Sequence, residues 1–409
     1  MCSFPMPGRQ PTEWRRARHT TLALSLECRE PTRWTNFFEM TQALTELESD
    51  AEPSTRDDRE LEARLTKWFH GHGSVLIGFS GGVDSAYLAC VAVAVLGPDR
   101  VLAVIGRSAS YPSEQWERAR EVARQFDVPV LEVSTDEVND PRYAANPSNR
   151  CYFCKTELWD TLAPIARARG IAVVVDGTNA DDLGDHRPGA RAAAEHDVRS
   201  PLAELGFSKA TIRRLSRARG IPTWSQPASP CLSSRIPYGT PVTIDRLRQI
   251  ERAERALRRL GFDGDLRVRY HGDLARVEIG SDLLGEWLQP ERRAAIYQAL
   301  RDVGFGRVAM DARGFRSGSL NVLGGVVAEP LVRARSSTGA GDGPGFKRAL
   351  ERMGLGFAVE ARARLAVLRA EDSIAVDRLA PPGAREAVVE AARGQGFTHV
   401  GIDLARADA

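Results

Sequence analysis

At 409 residues, 43% of them apolar and 27% charged, the chain is long enough for two or three domains and apolar enough for buried cores. Its 56 basic and 54 acidic residues leave a formal net charge of +2, which argues against a strongly electrostatic nucleic-acid binder, although nearly all the cations are arginine. The longest apolar stretch, near residues 89–96, is far short of a bilayer span, and the N-terminus lacks the order of a secretion signal. Cysteines 2, 28, 90, 151, 154 and 231 are too sparse for a disulfide framework, so the expectation is a cytoplasmic protein without a membrane or nucleic-acid partner.

Residues 1–58, with five prolines among polar residues, read as a poorly ordered lead-in; a better helical pattern opens at Met40, which is an alternative start. Leu61, Leu65, Trp68 and Phe69 fall at helical spacing, and "SVLIGFS" is a short buried strand. The turn "GGVDS" and the helix "AYLACVAVAVLG" follow. The order then repeats: strand "RVLAVIG", helix "SEQWERAREVARQFD" begun by a Ser113 cap, strand "PVLEVST", and strand "IAVVVDGT". Strands alternating with helices predict a parallel α/β sheet over residues 59–225, with its chemistry at the carboxyl ends of the strands.

The stretch "SQPASPCLSSRIPYGTPVT" holds four prolines and predicts an irregular loop, residues 226–240, between domains. Beyond it come a Thr- or Asp-capped helix over 243–262, strands "LRVRYH" and "LARVEI", a helix near 290–303 and strand "GRVAMDA", a small α+β domain over 241–323. Residues 348–362 and 382–403 echo 255–269 and 290–311 at offsets of 93 and 92, with nine identities in the 22 positions of the second alignment. These echoes predict a degenerate second copy over 346–409, joined by a glycine- and serine-rich linker at 324–345. Its expected core is Leu350, Met353, Val388, Val389 and Phe397, and Arg362 is the expected counterpart of Arg269.

The run Ser80-Gly81-Gly82-Val83-Asp84-Ser85 lies between a strand and a helix. Two glycines let the backbone approach an anion, the turn aims N–H groups and a helix N-terminus at it, and Ser80 and Ser85 add donors. A phosphate cradle is the reading, with Asp84 handling a magnesium ion shared with the phosphates. A turn whose glycines serve sterics alone is the weaker alternative.

This run resembles the PP-loop of the ATP pyrophosphatases, an adenine nucleotide alpha hydrolase-like α/β fold, which cleave ATP between the α and β phosphates and adenylate a carboxylate or carbonyl oxygen. The resemblance implies ATP phosphates at Ser80 through Ser85, adenosine and α-phosphate contacts at Ser108, Gly177, Thr178 and Asn179, and positioning roles for Asp181 and Asp182. "NRCYFCK", "DGTNADDLGDHRPG", "SPLAELGFSKATIRRLSRARGIPTWSQPASPCLSSRIPYG" and "GFRSGSLN", in this order, look like the LarE-type sulfur transferases of nickel-pincer nucleotide biosynthesis. Members of that family adenylate the carboxylates of pyridinium-3,5-biscarboxylic acid mononucleotide and convert them to thiocarboxylates.

The resemblance further implies one of two sulfur sources. One version of the family sacrifices the sulfur of a single loop cysteine, here Cys231; another holds a four-iron four-sulfur cluster on three cysteines, here Cys151, Cys154 and Cys231, with an open iron that carries sulfide. A zinc site completed by His186 or His196, a redox dithiol and inert thiols are the other readings. For an anionic nucleotide substrate the expected contacts are Arg187, Ser234, Arg235, Arg267 and Arg269, with Lys155 meeting the α-phosphate. The rivals in function are a PP-loop tRNA thiolase and a non-catalytic nucleotide-binding module. A sulfide or other sulfur donor, other cofactor-building enzymes and self-association are the expected partners.

Overall fold

The computed structural model describes residues 55–184, 188–227, 229–323, 340–372 and 374–405. Most of the expected lead-in, with Met40, therefore lies outside the described residues. Among the described residues the first helix, α1 (Arg56–His72), starts earlier than its apolar pattern suggested because Thr55 and Asp58 close a reciprocal capping box. Asp58 is buried and also receives both arms of Arg214, each at 2.8 Å. That guanidinium holds the Asp58 carboxyl well below the usual carboxylate range.

Strand β1 (Val75–Gly78), helix α2 (Val83–Leu96), β2 (Val101–Arg107), α3 (Ser113–Gln125), β3 (Val130–Ser134), α4 (Arg150–Ala168) and β4 (Val173–Val175) build a parallel sheet of order β3-β2-β1-β4. The sheet is covered on both faces, as its continuous apolar strands require. Val75 and Ile77 of β1 join α1, α2 and helix α5 (Lys209–Ala218), while Leu76 joins Trp159 and Leu162 of α4 on the other side. Ser113 proves not to be a cap: it sits inside the helix after Pro112, and its backbone N–H donates to Glu251 at 2.7 Å.

Among its described residues the proline-rich segment contains only short 3-10 turns, yet it is firmly held. Asn146, buried at φ 55°, donates to the carbonyls of Pro237 at 2.8 Å and Thr240 at 2.9 Å, and Val242 donates to Ala144 at 2.8 Å. An asparagine tolerates this left-handed backbone better than most residues. These bonds fasten the loop that carries Cys231 to the segment leading into α4, where Cys151 and Cys154 sit.

A second sheet follows, from α6 (Ile244–Arg259), β5 (Leu266–His271), β6 (Leu274–Ile279), α7 (Pro290–Asp302), β7 (Arg307–Asp311), α8 (Gly343–Arg352), β8 (Phe357–Arg362), β9 (Leu365–Ala370), α9 (Pro382–Gly394) and β10 (His399–Asp403). Its order is β5-β6-β7-β10-β9-β8, and one apolar core under it includes Leu257, Ile296 and Phe305 as well as Leu350, Val388 and Phe397. Helix, strand, strand, helix, strand thus occurs twice in the same order.

Three expectations for the tail are corrected. Met353 is 39% exposed, because it follows the last turn of α8 and points away from the core. The second helix begins at Gly343, capped by Asp342, so glycines assigned to the linker belong to it; residues 324–339 lie outside the described residues. Finally, the turn before β8 is two residues shorter than the one before β5, so strand pairing makes Glu360, not Arg362, the counterpart of Arg269: Arg269 faces Arg276 across one hairpin and Glu360 faces Val367 across the other.

Candidate active site

The sequence from Phe79 to Gly82 leaves β1 at its carboxyl end and turns into α2 without a side-chain cap on Gly82, so the first N–H groups of the helix point outward unpaired by any cap. Gly81 adopts φ 66°, and a Cβ there would come within 2.5 Å of the Ala119 Cβ. Glycine is required on both counts. Ser85 folds back beneath the turn: its Oγ accepts from the Ser80 N–H at 3.2 Å, lies 3.1 Å from the Ser80 Oγ and donates to the Gly82 carbonyl at 3.3 Å. Tyr111 and Gln115 donate to the Ser80 carbonyl at 2.9 and 2.7 Å, which fixes the turn from the side of α3.

Asp84 forms an ion pair with Lys209 of α5, and its Oδ1 is buried without a hydrogen-bond partner among the described residues. A buried carboxylate oxygen of this kind is costly unless a cation or proton meets it. Lys209 was missed in the sequence, though it is one of only four lysines in a chain with 56 basic residues. Its backbone N–H donates to Asp181 at 2.7 Å, and Asp182 accepts from the Asn179 N–H at 3.2 Å. Gly177 passes so close to α2 that a Cβ would lie 2.9 Å from the Ser85 nitrogen. Thr178 is braced by Asp176, whose carboxylate also accepts from Ser200 at 2.7 Å.

A cavity of about 390 Å³ opens on the turn. Ser80 through Asp84, Gln115, Arg118, Asp182 and Lys209 line one side; Ser229 and Pro230, just before Cys231, line another; Arg258, Arg267 and Ser317 come from the second sheet's part of the chain. Arg118 and Arg258 carried no expectation from sequence, because an arginine in an arginine-rich chain gives no local signal.

Of the expected arginines, Arg267 faces this cavity with its side chain against Phe315, the guanidinium 5.0 Å from the ring centre. Burial first, then the charges of Arg235 and Arg269, outweigh the pull of Glu254 and push it down to about 10. A buried cation crowded by cations is a place where an anion is favoured. Arg235 has a different job from the one expected: it is buried, grips Glu254 with two bonds of 2.9 and 3.0 Å, and donates to the Pro230 and Cys231 carbonyls at 2.6 and 3.2 Å. It is the strut of the cysteine loop. Arg269 is likewise committed, to Glu278 at 2.7 Å and to the Ser234 carbonyl at 3.0 Å, so Ser234 is held through its backbone. Arg187 and His186 lie outside the described residues.

Cys154 and Cys231 are half-buried and Cys151 is exposed. Burial pushes the Cys154 thiol well up, followed by the charges of Glu137 and Cys231; desolvation by the surrounding groups and then Cys231 raise Cys151, against the pull of Arg150 and Lys155. Cys231 thus lies close enough to bear on both Cys151 and Cys154. Among the described residues, however, no three His, Cys, Asp or Glu side chains are arranged as a metal site. His196 is no zinc ligand here, since its ring nitrogens meet the Ala192 carbonyl at 2.7 Å and Asp160 at 3.0 Å. Lys155 stands 4.9 Å from the centre of the Trp159 ring. Ser108 gives its hydroxyl to buried Glu137 at 2.6 Å, beside Ser110 at 2.8 Å, and the Ser110 carbonyl receives the Leu232 N–H at 2.8 Å. Glu137, unmarked in sequence, thereby connects the end of β2 with the cysteine loop. No helix among the described residues is long and apolar enough to cross a membrane.

The NAD synthase family model matches residues 60–150. An uncharacterized protein of Synechocystis sp. is 45% identical over 257 residues, 63% of this chain and 95% of that protein. The pyridinium-3,5-bisthiocarboxylic acid mononucleotide synthase of Lactiplantibacillus plantarum is 37% identical over 247 residues, 60% of this chain and 88% of that protein. An uncharacterized protein of Methanocaldococcus jannaschii is 29% identical over 245 residues, 91% of its length.

Proposed function

The chain belongs to the LarE-type sulfur transferases, within the PP-loop enzymes, and on that premise we propose that it adenylates the carboxylates of pyridinium-3,5-biscarboxylic acid mononucleotide with ATP and replaces one oxygen of each by sulfur. The observation that carries this reading is the cavity in which the glycine turn, Lys209, Arg267 and the residues just before Cys231 meet. A carboxylate oxygen of the substrate attacks the α-phosphorus, the bond to the β-phosphate oxygen breaks, and pyrophosphate leaves. The turn's N–H groups and Lys209 hold the leaving phosphates, and Asp84, whose Oδ1 is unpartnered among the described residues, would hold a magnesium ion, which would neutralise charge on the leaving group. A sulfur nucleophile then bonds to the acyl carbon, and the bond to AMP breaks.

For the sulfur, Cys151, Cys154 and Cys231 fit an iron-sulfur cluster in kind and number of donors, and a cluster so held would supply sulfide at the iron that no cysteine ligates. The chain's own part is to fasten the loop of Cys231 to the segment leading into Cys151 and Cys154, through Asn146, and to brace that loop through Arg235. Cys231 as a sacrificial donor is the alternative that uses the same loop.

The test is pyrophosphate release dependent on the dicarboxylate nucleotide, measured beside thiocarboxylate formation. Asp84→Asn and Ser85→Ala should lose both, by about 2–4 kcal/mol of transition-state stabilisation. Cys231→Ala should keep the first and lose the second; sulfur transfer by Cys231→Ala would refute the assignment. Iron and sulfide in anaerobically purified protein favour the cluster, whereas a peptide that loses the mass of one hydrogen sulfide from Cys231 after a single turnover favours sacrifice.

A further inference from the structure

In the antiparallel pairing of β7 with β10, Asp311 faces Gly401, Met310 faces Ile402 and Ala309 faces Asp403. At the sequence offset of 92, residues 309, 310 and 311 correspond to 401, 402 and 403. Residue 309 therefore faces the counterpart of 311, residue 311 faces the counterpart of 309, and residue 310 faces its own counterpart. This is the rule of an isologous twofold interface, with Met310 and Ile402 on the axis. The flanking bonds obey it too: Ala312 donates to the Val400 carbonyl at 2.9 Å, and Leu404, its counterpart, donates to Val308 at 2.9 Å. The sheet order reads the same from either edge when counterparts are exchanged, and the two sets of helices share one core.

We propose that residues 340–405 are a second copy of the small domain that occupies, within one chain, the place a second subunit would take in a twofold dimer, and so closes the β7 edge against a second chain. An unpaired β7 would present a row of free backbone groups to any matching strand. The fit is also asymmetric in favour of the built-in copy. A Cβ at Gly401 would lie 3.1 Å from the Ala309 Cβ. Two first copies facing each other would bring alanine to both positions, a tighter contact than the one the chain makes with itself.

The experiment uses the full chain with its six native cysteines replaced by serine, and ATP binding as the check of fold. Residues facing each other across an antiparallel pair have Cα spacings that suit a disulfide. Met310→Cys with Ile402→Cys should close within one chain, leaving the mass unchanged on a non-reducing gel. Met310→Cys alone should not link two chains. Met310→Cys with Ile402→Pro, which removes a donor from a central strand, should release β10 and give a covalent dimer of doubled mass, joined through the thiol introduced on β7. If proline costs the chain its ATP binding, Gly401→Leu, which fills the space against Ala309 and leaves every backbone donor in place, takes its position. Folded protein that fails to dimerise when β10 is displaced overturns the proposal, as does interchain closure of the Met310→Cys, Ile402→Cys pair or dimerisation of Met310→Cys alone.

Discussion

The two halves of the six-stranded sheet have one backbone plan and two different faces. Toward the helices they agree: Leu266, Val268, Val277 and Met310 in one half are answered by Phe357, Val359, Leu368 and Ile402 in the other, packed in one core. On the opposite face they part. The first half carries Arg267, Arg269, Arg276, Glu278 and Asp311, all buried. By strand register the second half has Ala358, Glu360, Val367, Arg369 and Asp403 there. Only the half that lines the cavity at the glycine turn carries the arginine network. What the difference teaches is that the fold demands the apolar face, whereas the polar face is free to follow the chemistry at hand.

The comparison breaks most visibly at Glu278. It is fully buried and holds both Arg269 at 2.7 Å and Arg276 at 2.9 Å, while Glu360, at Arg269's counterpart, is 43% exposed and pairs with Arg307 and Arg362 near the surface. Glu278→Gln leaves two buried guanidinium groups short of a charge and should cost about 3–5 kcal/mol in denaturant unfolding. Glu360→Gln should cost less than about 1 kcal/mol. Equal losses would erase the distinction between the halves. Acid sharpens it. Burial opposes ionisation of Glu278, but Arg269 and Arg276 overcome it and carry the group from 4.5 down to about 2. A depressed carboxyl stabilises the fold above its unfolded value, and that contribution is lost as pH falls from about 4.5 toward 2. The gap between wild type and Glu278→Gln should therefore narrow across that window, and a gap that is constant down to pH 2 would contradict the charge-based account.

Arg267 tests function instead of folding. Its guanidinium is crowded by Arg235 and Arg269 but also donates to the Leu266 carbonyl and stacks on Phe315, so Arg267→Ala trades those contacts against relieved repulsion and should lower the unfolding midpoint less than Glu278→Gln does. If it meets an anionic group of the substrate, kcat/KM should fall roughly 10- to 100-fold, the range of a charge-assisted hydrogen bond. Ala358→Arg, at the counterpart position, should restore none of it. A midpoint that drops while kcat/KM holds would assign Arg267 to structure.

How much of this could be read beforehand follows from how local each signal is. The glycine turn was legible because a backbone at positive φ, packed against a neighbouring helix, confines its sequence to a few adjacent residues. The strands were legible because burial on both faces leaves no choice but apolar runs. Lys209, Glu137 and Asn146 were not, since each acts on a partner distant in sequence, and a single polar residue on a helix or in a loop carries no period. For Arg235 the expectation was a substrate contact, whereas the acceptors it meets are Glu254 and its own loop's carbonyls. The shift from Arg362 to Glu360 came from two residues missing in a turn, which an ungapped comparison of helices hides and strand pairing reveals.

The smallest expected effect bears on the seam between the halves. Gly401 of β10 lies against Ala309 of β7, and an added Cβ would meet the alanine's at 3.1 Å. Neither strand can give way easily: β7 is held by β6 on its far side, and β10 by β9. Against this crowding stands a general gain, because glycine is the more costly residue in the middle of a strand. Overpacking in a core costs about 1–3 kcal/mol, and the relief from losing a strand glycine offsets roughly 0.5–1 kcal/mol of that. Gly401→Ala should then destabilise the full chain by about 1 kcal/mol in urea unfolding. The cause is separable by a double-mutant cycle. Ala309→Gly opens the same space from the other side, so the pair Ala309→Gly, Gly401→Ala restores one methyl between the strands, and its loss should be smaller than the sum of the two single losses. Additive losses would mean that the methyl contact is not what makes glycine the residue at position 401, and that the halves meet less closely than the seam between β7 and β10 indicates.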